Sequence, residues 1–135
     1  MTQPGAHVRG YNAHSLGICY EGGLDAHGHP ADTRTDFQKH SLRVLVMLLL
    51  RDYPDSRLCG HRDLSPDLNR NGEIEPEEWI KACPCFDAAS ILQEPPPPNP
   101  GLIVMQLVYA KGYVMLFLLN NVIGINNIHV FLLYL

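Results

Sequence analysis

Three side chains carry the functional groups from which a reaction centre is built. His61 offers an imidazole, Cys83 a thiol and Lys81 an ammonium two positions before that thiol. Imidazole and thiolate are both good zinc ligands. A cation fixed beside a carbonyl under attack stabilises the negative charge that develops on its oxygen. Spacing alone leaves two readings open, a half-built metal site or a surface histidine with a buried cysteine.

The words around these residues are more specific. GHRDLSPDLN at His61, followed by EWIKACPCFD at Lys81 and Cys83, resembles the C-terminal signature of the zinc-dependent N-acetylmuramoyl-L-alanine amidases. That family includes the amidase-type phage lysozymes and the peptidoglycan recognition proteins. Upstream, HVRGYNAHSLGICYEGG resembles the stretch of the same family in which a His precedes a GYN turn and a short strand. The three motifs occur in order and cover about Gly5 to Leu92.

The resemblance implies a zinc held by two His and one Cys, with an open position for water and the substrate carbonyl. His61 and Cys83 match two of those ligands, Lys81 matches the residue that meets the oxyanion, and His7 falls in the segment that lines the substrate cleft. The implied substrate is peptidoglycan, cut at the amide between N-acetylmuramic acid and L-alanine, with no organic cofactor. The family's first zinc His and a water-assisting Tyr lie on strands before the segment of His7. The chain is therefore expected to be an N-terminally truncated form with weaker zinc binding and an unpaired sheet edge. His14, His27, His29 and His40 sit in none of the family's ligand motifs. A rival reading keeps the groove and loses the chemistry, leaving a peptidoglycan-binding module.

A second metal pattern lies between the two ligand motifs. DLNRNGEIEPEE puts Asp67, Asn69, Asn71, Gly72, Ile74, Glu75 and Glu78 at positions 1, 3, 5, 6, 8, 9 and 12 of the EF-hand calcium loop, with Glu73 at the position that ligates through its backbone carbonyl. Calcium takes six to eight hard oxygens, which this set supplies in number. An EF-hand also needs an entering helix, and HRDLSP contains a proline. The alternative is an Asp/Asn/Gly-rich insertion that turns without metal.

The elements that must carry these groups are legible from local pattern. Ser15 to Tyr20 is an apolar run closed by Gly22-Gly23, a buried strand. Thr35 with Gln38 is a capping box, and Phe37, Val44, Leu45, Leu48 and Leu49 continue it as a helix over about Asp36 to Asp52. Pro54 stops that helix, and Arg57 to Gly60 offers a strand that ends at His61. Pro66 to Glu78 reads as a polar loop, Trp79 to Lys81 as a short turn or helix, and Asp87 as the cap of a last turn through Leu92. Strand, helix, strand, helix predicts an α/β layer, a central mixed sheet with flanking helices. The resemblance agrees and implies a sheet incomplete at its N-terminal side.

Composition divides the chain. Of its 135 residues every charged side chain except Lys111 precedes Pro95, and the net charge of -4 offers no basic surface for nucleic acid. Residues 1–94 read as the partial amidase domain, 95–101 as a polyproline spacer, and 102–135 as a hydrophobic tail. Leu102 to Leu119 reads either as a membrane span interrupted by Gln106, Lys111 and Gly112 or as translation outside the proper frame. Burying Lys111 at a bilayer centre would cost about 2.5–3.5 kcal/mol. A third reading combines the two leftovers, a calcium-loop protein tethered to membrane by the tail. The N-terminus lacks the basic and apolar regions of a signal peptide, so localisation is left open. Four irregularly spaced cysteines point to free thiols or one thiolate ligand rather than a disulfide framework.

Overall fold

A capping box starts the central helix. Thr35 Oγ1 accepts from the Gln38 amide at 3.2 Å, and Gln38 Oε1 accepts from the Thr35 amide at 2.8 Å. Two amides that a helix start leaves unbonded are thus satisfied. The helix, α1, runs Asp36–Asp52, and Tyr53 closes it by donating its amide to the Leu49 carbonyl. The computed structural model describes residues 6–95, and the backbone of 105–110, 113–118 and 128–134.

The first strand, β1, spans Ser15–Glu21 and is buried through Tyr20. The second, β2, spans Arg57–Cys59. Leu42, Leu45 and Val46, at helical spacing on α1, pack with Ile18 and Tyr20 of β1 and with Phe86 and Ile91 beyond the second ligand motif. Ile18, Leu42, Val46 and Ile91 have no exposed surface. At roughly 1.5–3 kcal/mol for each fully buried aliphatic side chain, this cluster is the larger apolar core among the described residues.

Met105–Ala110, Tyr113–Leu118 and Ile128–Tyr134 form strands β3, β4 and β5. The strands pair in the order β2-β5-β1-β4-β3. β1 runs antiparallel to β5 with Ile18 opposite Phe131, and parallel to β4 with Ile18 opposite Val114. β1 therefore has a strand on each side, with β2 and β3 at the two edges. The stretch read as a membrane span or an out-of-frame product carries β3 and β4 in its backbone, whereas 96–104 and with it most of the polyproline spacer lie outside the described residues. Among the described residues no helix is long and apolar enough to cross a membrane.

One short element differs from expectation. The turn read at Trp79 to Lys81 falls earlier, as a 3-10 turn over Pro76–Glu78. Pro76 supplies a preset backbone angle at the first position, and Glu75 and Glu78 cap each other. The last turn is a 3-10 helix, Ala88–Leu92, capped by Asp87 through the Ala89 amide.

Candidate functional site

His61 follows β2 and Gly60 and opens a 3-10 turn, Arg62–Leu64. Asp63 closes this turn from inside, because its Oδ2 accepts from the Gly60 amide at 2.7 Å. The turn is tied to the second motif by one backbone bond, in which the Arg62 amide donates to the Cys83 carbonyl at 3.1 Å. Gly60 allows the close approach. A Cβ there would lie 2.6 Å from Pro84 Cδ, inside any real contact. Trp79 is half-buried under the Arg62 guanidinium, which sits 4.5 Å from the ring centre and adds a cation–π tie between the motifs.

His7, in the segment before β1, comes close enough to His61 for its charge to be felt there. Asn12 Oδ1 accepts from the amides of His7 and Val8 at 2.9 and 2.8 Å, which curls the segment. Val8 then packs on Cys59 at the end of β2, with Tyr11 and Leu64 around them. The His7 ring lies on Gly17, where a Cβ would stand 3.0 Å from ring Cγ. Its Nε2 is 2.7 Å from Ser15 Oγ, and that hydroxyl donates to the Tyr11 carbonyl at 2.7 Å. The hydroxyl proton is committed to a carbonyl, so the hydroxyl accepts from Nε2–H, and the neutral ring carries its proton there.

The structure thus brings three of the expected residues into one electrostatic neighbourhood. Burial lowers the pKa of His61 first, and the charges of Lys81 and His7 lower it further. Burial also lowers that of His7. A neutral imidazole is the form that ligates a metal. Lys81 is exposed, whereas Cys83 is 8% exposed.

Cys19, Cys59 and Cys85 are free thiols. Burial pushes the thiols of Cys19, Cys59 and Cys85 up, so these three are held protonated. Among the described residues no three His, Cys, Asp or Glu side chains are grouped to hold a metal. His14, His27 and His29 are exposed, and His40 is half-buried on α1. His27 and His29 fold back on Asp25, whose Oδ1 accepts from their amides at 2.8 and 2.9 Å.

The Asp67 to Glu78 loop is closed by its own backbone. Asp67 accepts from the Arg70 and Gly72 amides at 2.5 and 2.8 Å. Asn69 Oδ1 and Asn71 Oδ1 accept from the amides of Asn71 and Glu73. Glu78, buried, accepts from the Leu68, Asn69 and Glu75 amides. Those donors hold its carboxyl below the usual range. Gly72 and Arg70 adopt left-handed backbone, which glycine tolerates and arginine rarely does.

Sequence reasoning passed over Ser15, Tyr20, Gly60 and Arg62. Only Gly60 carried a local signal, a glycine directly before a candidate ligand at a strand end.

The chain is 51% identical over 88 residues to a Haemophilus influenzae protein named only as uncharacterized, covering 65% of this chain and 76% of that one. It is 39% identical over 83 residues to the endolysin of Klebsiella phage KP32 and 36% identical over 83 residues to that of Escherichia phage T7. Those 83 residues are 62% of this chain, which spans just under half, 46%, of each endolysin. No family model and no solved structure matches the chain.

Proposed function

This chain belongs to the same family as the Haemophilus influenzae protein, and on that premise, with its likeness to the phage endolysins, we propose that it is a peptidoglycan-hydrolysing domain of the N-acetylmuramoyl-L-alanine amidase kind, on an α/β layer of the amidase type. The observation that carries the reading is the field at His61. A half-buried imidazole beside Lys81 and His7 is held neutral, and its turn is bonded through Arg62 to the carbonyl of Cys83.

Zinc fits this donor set in part. His61 and Cys83 would hold it, and a third group of the His, Cys, Asp or Glu kind does not join them among the described residues. When bound, zinc would polarise the amide carbonyl and acidify a water. The chain's own residues supply the rest. Lys81, exposed and cationic, would meet the carbonyl oxygen as it gains charge, an interaction stronger in the transition state than in the ground state. His7, held by Asn12 and Ser15 at the edge of the same patch, would line the floor under the stem peptide.

The test uses the full chain, zinc and purified peptidoglycan. New α-amino groups of L-alanine, without new reducing sugar ends, are expected, and Lys81→Met should lower kcat more than it raises KM. Reducing ends without amino groups would instead mark a glycosidase and overturn the amidase reading. The two-ligand geometry also favours a second reading, a module that binds muropeptide without turnover. Saturable binding with no product of either kind would select it.

A further inference from the structure

Tyr20 sits on β1, sixty-four residues before Pro84, and is 3% exposed. Its ring meets the edge of Phe86 at a centroid distance of 5.6 Å. Its hydroxyl donates to the Pro84 carbonyl at 2.5 Å. The preceding carbonyl, that of Cys83, accepts from the Arg62 amide at 3.1 Å. Two consecutive carbonyls are thus held by donors from two separate elements. On the His61 side Pro84 packs against Gly60, where any added Cβ would stand 2.6 Å from Pro84 Cδ, closer than real Cβ contacts come.

A phenylalanine would fill the same apolar space, whereas a buried hydroxyl is costly unless bonded. What tyrosine adds here is a fixed position for the Pro84 carbonyl, one residue past the thiol. We propose that Tyr20 is a positioning residue for Cys83, setting where the thiol stands relative to His61. The inference rests on the reading of His61 and Cys83 as a metal-holding pair. Groups that orient ligands commonly change metal affinity by about 10–100-fold when removed, while the loss of one hydroxyl lowers stability without disturbing a site that is already folded.

The measurement is a cobalt(II) titration of the full chain, read by the near-ultraviolet charge-transfer absorption of a thiolate–cobalt bond, at a temperature where circular dichroism shows each variant folded. Wild type should show the absorption and Cys83→Ala should lose it. In Tyr20→Phe it should weaken, with cobalt affinity about tenfold lower. Gly60→Ala, which presses on the same corner without altering β1, should weaken it as well. Unchanged absorption and affinity in Tyr20→Phe, with loss in Cys83→Ala, would overturn the role of Tyr20 and leave the metal reading standing. Undiminished binding in Gly60→Ala would likewise show that the corner does not govern the thiol. A wild-type chain with no Cys83-dependent absorption would overturn both.

Discussion

Removing the Arg34 guanidinium should be the most damaging single change outside the apolar core. Its side chain is 2% exposed and forks onto Asp32, with Nε to Oδ1 at 2.9 Å and Nη2 to Oδ2 at 2.8 Å. The same Nη2 reaches Glu94 Oε1 at 2.6 Å, and the fork lies 3.4 Å from the centre of the Phe86 ring. One cation therefore ties the segment before α1 to Glu94, beyond the last 3-10 turn, and to the residue three past Cys83. Breaking a buried ion pair from one side costs about 3–5 kcal/mol, because the remaining charge is left in a poor dielectric. Here the carboxylates keep 34% and 19% of their surface in water, so solvent screening reduces that term to about 2–3 kcal/mol. Lost stacking on Phe86 adds roughly 1 kcal/mol. Arg34→Met, which keeps the stem, should lower urea stability of the full chain by about 3–4 kcal/mol, a large share of the roughly 5–15 kcal/mol typical of a domain. Trp79, the chain's one tryptophan, reports the transition. Arg34→Lys should recover less than half, since an ammonium cannot bridge both carboxylates. The exposed pair Arg51–Asp52, 70% and 54% open, is the internal control and should contribute within about 0.5 kcal/mol. A loss under about 1 kcal/mol in Arg34→Met, or full rescue by lysine, would refute the reasoning.

Two further outcomes follow from caps and titrating groups. Thr35→Ala removes the cap of α1 and should cost about 1 kcal/mol, and Gln38→Ala should cost at least as much because Gln38 Nε2 also donates to the Glu21 carbonyl at 2.7 Å; parallel urea curves for the two check this. His7 and His61 have folded pKa values below the ordinary 6.5, so the unfolded chain binds more protons in that window. Stability from these groups is complete above the unfolded value and is lost as pH falls through the lowered folded values. Urea midpoints measured with chelator at pH 8, 6 and 5 should decline, and His61→Gln should flatten the decline; an equal slope in the variant would contradict the assignment. A separate loss at lower pH should follow from Asp25, Asp32 and Glu78, whose carboxyls are held low by hydrogen bonds.

The parts legible in the sequence are those whose cause is local. A capping box and a proline delimit α1 within one stretch, and the helix runs Asp36–Asp52 as the pattern predicts. β1 falls on its apolar run, and β2 falls at Arg57–Cys59, within the short strand expected after the proline stop. The residues with metal-ligating chemistry were legible by type and wording, since His, Cys and Lys keep their functional groups wherever they sit. What the pattern could not supply is the set of long-range ties. Arg34 meets Glu94 across sixty residues and Tyr20 meets Pro84 across sixty-four, and neither pair leaves a periodicity to read. The Asp67 to Glu78 loop is a different case. Its acidic and amide side chains spell a calcium pattern, and several of their oxygens accept from the loop's own amides, a local closure that residue type alone does not reveal. Residue type sets what each group is able to do, while its surroundings come from long-range contacts such as that of Tyr20 on β1 with the Pro84 carbonyl, which no local pattern carries.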